Sequence, residues 1–90
     1  MDLPTPHATV ELPVFLFAAV RDVVGSDQFT IQTPLPTTAS ALRKILSQRY
    51  PQIDTWLAVS RLAVDRRFVA DEDQIESATE IAVIPPVSGG

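Results

Sequence analysis

Prolines at positions 34, 36 and 51 bracket the one long helical segment of this 90-residue chain. Thr37 or Thr38 can cap that segment, because a threonine hydroxyl accepts from the free N–H groups of a first helical turn. Ala39, Leu42, Ile45 and Leu46 then recur at helical spacing, and the helix runs to about Tyr50. Pro51 ends it by pushing the residue before it out of the α region. Ile53 to Leu57 make one further turn.

The remaining apolar runs have the length of strands. Val14-Phe15-Leu16-Phe17 reads as a central strand, and Ala18 to Val24 as a short helix with Val20, Val23 and Val24 on one side. Gly25 can supply the left-handed residue that ends such a helix. Phe29-Thr30-Ile31-Gln32 alternates as a half-buried strand should, and Pro34 and Pro36 stop it. Arg61 to Val64 and Arg67 to Val69 are short strands about a tight Asp65-Arg66 turn; Asp71-Glu72-Asp73 is a loop; Glu80 to Ile84 is the last strand. Strand, strand, long helix and two or three more strands make an α+β chain, with one main helix across one face of a mixed sheet. The expected arrangement is a ubiquitin-like β-grasp over residues 13–84, its first and last strands side by side at the sheet's centre.

Residues 1–12, with Pro4, Pro6 and His7 and no periodicity, read as a flexible extension, and residues 85–90 as an extended tail behind Pro85-Pro86. At this length a single core without a large enclosed substrate cavity is expected. A formal charge of −4, with basic residues scattered singly or in pairs, leaves no footprint for nucleic acid and suits a basic protein partner. The longest apolar stretch, Pro13 to Val20, is too short to span a bilayer, and the start lacks a basic signal region. A cytoplasmic protein is expected.

The absence of cysteine removes disulfides, thiolate nucleophiles and zinc–thiolate sites together. His7 is the only histidine, and its place in the extension argues against histidine catalysis or a metal site. Asp71, Glu72, Asp73 and Glu76 lack the glycine and the spacing of a calcium loop and read as solvated. Arg66-Arg67 has no glycine-rich turn beside it to cradle phosphate, though the pair could steer an acidic patch. Trp56 is most simply packing. Phe17, Phe68 and Ile84 are either core or, if they share the sheet face away from the helix, an exposed apolar patch of the kind that binds proteins.

The chain ends on Gly89-Gly90, and the Gly90 carboxylate is the best candidate for a reactive group. Glycine without Cβ lets a tail thread a narrow channel and leaves the terminal carbonyl open to attack. A carboxylate at neutral pH is a poor acyl electrophile, so chemistry there needs activation, most simply by ATP to an acyl-adenylate. No phosphate-binding loop or nucleophile in the sequence could perform it, which makes the chain the substrate of one enzyme and the donor to another: a carrier.

Phe15-Leu16-Phe17-Ala18-Ala19-Val20-Arg21-Asp22-Val23-Val24-Gly25 and Ile84-Pro85-Pro86-Val87-Ser88-Gly89-Gly90 resemble the molybdopterin synthase small-subunit branch of the MoaD/ThiS superfamily of ubiquitin-like sulfur carriers. The likeness covers about residues 13–90, and the Pro-Pro-Val-Ser-Gly-Gly ending is specific to that branch. It implies that an E1-like enzyme adenylates Gly90 with ATP and that a sulfur-relay protein converts it to a thiocarboxylate. It further implies that the tail enters the large subunit of molybdopterin synthase, in a heterotetramer, and gives its sulfur to cyclic pyranopterin monophosphate. Two carriers are then consumed per dithiolene. No cofactor is expected on the carrier itself. The resemblance makes Phe17, Phe68 and Ile84, with Pro85, Pro86, Val87 and Ser88, the partner-binding residues, and Gly89 the tail behind the reactive Gly90. Ala78-Thr79-Glu80 departs from the family's usual Gly-Asp-Glu turn. A carrier of sulfur for thiamine or cysteine, a ubiquitin-like modifier conjugated through Gly90, and a plain interaction module are the competing functions.

Overall fold

A computed structural model describes residues 9–86 of the chain. The first strand, β1 (Thr9–Leu16), begins inside the segment expected to be an extension. Thr9 to Leu12 pair with Pro34 to Ile31, and Leu12 is only 3% exposed. Val10, Leu12, Val14 and Leu16 alternate toward the core, a period that Pro13 obscures in the sequence. The strand tolerates a residue without an N–H there because β1 has a single neighbour until Val14, where its second partner starts. The boundary at residue 12 is therefore corrected; residues 1–8, His7 among them, lie outside the described residues.

Helix α1 (Ala18–Val24) ends on Gly25, whose φ of 84° is left-handed and whose N–H donates to the Arg21 carbonyl. Val20 is fully buried and Val24 packs partly on the core, but Val23, expected on the same side, is 43% exposed. Strand β2 (Gln28–Pro34) runs back antiparallel to β1. Two-residue strands β3 (Thr37–Thr38) and β6 (Gln74–Ile75) pair with each other in a separate small sheet.

Helix α2 (Ala39–Arg49) is capped by Thr38, whose hydroxyl oxygen accepts from the Ala41 N–H at 3.1 Å. It buries Ala39, Leu42 and Leu46, with Ile45 half-buried at the edge. After Pro51 the chain makes a 3-10 turn (Pro51–Ile53) and a short helix α3 (Asp54–Val59), more helix than the single turn expected. Arg43 of α2 fastens this region, donating to the carbonyls of Leu57 and Ser60 and, at 2.8 Å, to the Asp71 carboxylate.

Strands β4 (Arg61–Val64) and β5 (Arg67–Val69) form a hairpin in which Asp65 and Arg66 have φ of 50° and 71°, as a two-residue turn with the primed twist requires. The last strand, β7 (Ile81–Ile84), lies between β1, to which it is parallel, and β4, to which it is antiparallel. The five-stranded sheet has the order β2-β1-β7-β4-β5, the ubiquitin-like β-grasp arrangement. Leu12, Val14, Leu16, Leu62, Val64, Ile81 and Val83 form the sheet's side of the core, against Leu42 and Leu46 of α2 and Ile53 and Leu57 beyond it. No helix among the described residues is long and apolar enough to cross a membrane.

Candidate functional site

Strand alternation places on the outer face whatever the core does not take. Phe15 pairs across to Ala82, Ala82 to Ala63, and Ala63 to Phe68, a single row over four strands. Two residues on come Ile84 at the end of β7 and Phe17, still extended just past the end of β1. The two alanines leave the middle of the row low and the aromatic rings stand at its ends. The result is an apolar cleft of about 400 Å³ lined by Phe15, Phe17, Ala63, Phe68, Ala82 and Ile84, with Arg66 and Glu80 at its rim.

The structure thus brings Phe17, Phe68 and Ile84 together, and on the exposed side: Phe17 and Phe68 keep 47% and 52% of their surface in solvent. Two half-exposed phenylalanines on one face give this sheet an exposed apolar patch. Phe15, Ala63 and Ala82 complete the cleft and were not singled out from the sequence, although the strand period alone puts Phe15 with Phe17 and Ala82 with Ile84.

Charge is confined to the edges. The guanidinium carbon of Arg61 lies 3.8 Å from the centroid of the Phe68 ring, close enough for a cation–π contact. Arg66 and Glu80 approach to 3.8 Å across the rim. The Asp65 carboxylate accepts from the Thr79 N–H at 2.8 Å, the Thr79 hydroxyl at 2.7 Å and the Glu80 N–H at 3.0 Å. These bonds, the Thr79 backbone N–H foremost, hold its pKa below the usual 3.8. They also organise the Ala78-Thr79-Glu80 turn.

A second apolar groove, about 790 Å³, opens on the other side of the same two residues. Phe17 and Ile84 line it together with Ala18, Ala19, Trp56, Pro85 and Pro86. Pro85 is buried and Pro86 exposed, and both line the groove, so the chain leaves the sheet's central strand along it. Val87, Ser88, Gly89 and Gly90 lie outside the described residues. Of the acidic loop, Asp71 accepts from Arg43 and Asp73 from the Ala70 N–H, both at 2.8 Å.

The sequence pattern of the ThiS family matches residues 14–90. This chain belongs to the ThiS family. Over 84 residues it is 45% identical to the molybdopterin synthase sulfur carrier subunit of Dictyostelium discoideum, an alignment that takes in 89% of this chain and 96% of that protein. Among solved structures, SAMP1 from Haloferax volcanii matches it with a TM-score of 0.77 at 20% identity, over 90% of this chain and all of that one (100%). A chain from the complex of subunits 1 and 2 of the molybdopterin-converting factor of Helicobacter pylori matches with a TM-score of 0.63 at 23% identity, covering 90% of this chain and 100% of its own. At such identities these two likenesses speak for the ThiS-family fold, whereas the amoebal relative speaks for the branch within it.

Proposed function

We propose that this chain is the sulfur-carrier subunit of a molybdopterin synthase, holding sulfur as a thiocarboxylate on Gly90. The observation that supports it best is the 45% identity, over nearly the whole of both chains, to a protein of that name. The geometry fits the task. A carrier must offer its terminus while being gripped elsewhere, and here the tail leaves a central strand beside an exposed apolar cleft.

The chemistry follows from what the chain lacks. Without a cysteine it can form no side-chain thioester or persulfide, so sulfur must be carried on a terminal acyl group. Activation by an E1-like enzyme joins a Gly90 carboxylate oxygen to the α-phosphorus of ATP and expels pyrophosphate. A persulfide on a relay protein then attacks the acyl carbon and AMP leaves, and a thiol attacks the relay-side sulfur of the acyl disulfide, forming a disulfide and releasing the Gly90 thiocarboxylate. The thiocarboxylate end enters the active site of the synthase's large subunit, in the cytoplasm, and yields its sulfur to cyclic pyranopterin monophosphate. Catalytic groups belong to the partners; this chain contributes the acyl carbon, the reach of the tail and the docking face.

Incubation with an E1-like activator, ATP and sulfide should raise the intact mass by about 16 Da, one oxygen exchanged for sulfur. Adding the large subunit and the pyranopterin should reverse the gain as dithiolene appears. Chains linked by isopeptide bonds to lysines, with no sulfur gain, would instead establish a protein modifier.

A further inference from the structure

The main sheet ends on β2 at one side and on β5 at the other, and the two edges are unlike. Strand β5 is short and opens on Arg67, directly behind Arg66, so length and charge both discourage further pairing there. Strand β2 runs for seven residues, Gln28 to Pro34, without a single charge. Among the described residues its only sheet partner is β1.

Which backbone groups face outward from β2 follows from one bond. The register sets Phe15 opposite Gln28, and in the next pair the Leu16 N–H donates to the Asp27 carbonyl at 3.0 Å. Antiparallel pairs alternate between bonded and non-bonded, so Phe29, Ile31 and Thr33 spend their N–H and C=O groups on β1. Those of Gln28, Thr30 and Gln32 point away from the sheet. Pro13 and Pro34, which have no N–H, both fall where β1 and β2 exchange no bond, as this phase requires. A groove of about 440 Å³ follows the edge, walled by Glu11, Thr30 and Gln32 on the sheet and by Ile45, Gln48 and Arg49 on α2.

Gln28-Phe29-Thr30-Ile31-Gln32 is a palindrome in chemical class. Laid antiparallel about a twofold axis at Thr30, two such strands set Thr30 against Thr30, Gln28 against Gln32 and Phe29 against Ile31. Hydroxyl meets hydroxyl and amide meets amide on the exposed face, apolar meets apolar on the core face, and no like charges are opposed. Centring on Thr30 also keeps Pro34, which has no N–H to give, out of the new ladder. The groove's charges, one acid and one base, select neither an acidic nor a basic peptide. We infer that a second copy of this chain pairs along β2, joining two sheets into one. Because β2 is the edge opposite β5, the pairing leaves Ala63, Phe68 and Ala82 of the cleft uncovered. Such a dimer stands apart from the carrier reading, which the mass gain tests by itself.

Sedimentation equilibrium of the full chain from about 10 µM to about 1 mM should show the 9.8 kDa mass rising toward twice that value, with a Kd on the order of 100 µM, as suits a small contact. Thr30→Lys sets two ammonium groups against each other at the axis from an exposed position and should raise that Kd at least about tenfold. Hydrogen exchange on the wild-type chain locates the contact independently of any variant. The Thr30 and Gln32 amides should exchange more slowly as concentration rises, whereas those of Phe29 and Ile31, bonded to β1, should be slow throughout. A chain that stays monomeric at the highest concentration overturns the inference. So does a dimer that Thr30→Lys leaves intact and whose Thr30 and Gln32 amides exchange freely, which would place the contact on another surface. Protection of those amides in the monomer at every dilution overturns it in favour of residues 1–8 of the same chain. Protection that comes only with the large subunit or the activating enzyme overturns it in favour of a strand from that partner.

Discussion

Ala18 and Gly25 bracket helix α1 with two left-handed residues, and only one of them is glycine. A Cβ built on Gly25 meets no atom within 4 Å, so Gly25→Ala adds backbone strain and nothing else. It should cost about 1 kcal/mol in chemical denaturation. Ala18→Gly should do the reverse, gaining up to about 1 kcal/mol as the strain is relieved against glycine's larger loss of chain entropy. Asp65 makes a different residue-scale argument. Its pKa is lowered in the folded chain, so its bonds to Thr79 and Glu80 add stability above the unfolded value near 3.8 and lose it as pH falls through the lower folded value. Asp65→Asn keeps a residue that tolerates positive φ but removes the titrating charge. Thermal melts taken from neutral pH down to below 3.8 should find the variant less stable by on the order of 1 kcal/mol at neutrality, a modest figure for an exposed carboxylate. That difference should shrink to nothing at the acid end.

Helix α2 is the element that the sequence announces most plainly, and its cap can be tested by itself. Thr38→Ala leaves the Ala41 N–H without its acceptor and should lower stability by about 1 kcal/mol in urea unfolding, with no change of m-value. The cap, the buried face and the stop at Pro51 were all legible because each depends on residues within one or two turns of each other. The same holds for α1, for the Asp65-Arg66 turn and for the four main strands β1, β2, β4 and β7 at their centres. Legibility failed where pairing partners are distant. Thr9 to Leu12 gain strand geometry from Ile31 to Pro34, and β3 and β6 exist only as two-residue partners of each other. Val23 is misread for a related reason: seven residues of helix cannot reveal which edge of their apolar stripe faces the core. In the candidate site, Phe17, Phe68 and Ile84 were legible through resemblance, while Trp56 was not, since its place beside Pro85 and Pro86 follows from how α3 packs.

At the scale of the whole molecule, the sheet keeps the core on one face and an exposed apolar cleft on the other. Phe68 stands on the outer face, 52% exposed, so Phe68→Asp should unfold the chain little while weakening large-subunit binding by at least about 30-fold, read by calorimetry on a chain whose circular dichroism is unchanged. The tail obeys a stricter rule. In the proposed complex, docking at the outer face would fix the origin of the tail near Ile84, and the residues beyond it would fix where its end falls. One residue of extended chain adds about 3.3–3.6 Å, and a misplacement of even 1 Å at a reacting centre is costly. Adding one alanine after Gly90 also replaces the reacting glycyl carboxylate with a bulkier one. Sulfur transfer by such a chain should therefore vanish while the fold and the docking of the outer face persist. Measured together, mass gain, dithiolene yield and Kd separate the roles: lost chemistry with intact docking is the carrier's signature, and dithiolene formed at an undiminished rate would place the reactive group elsewhere.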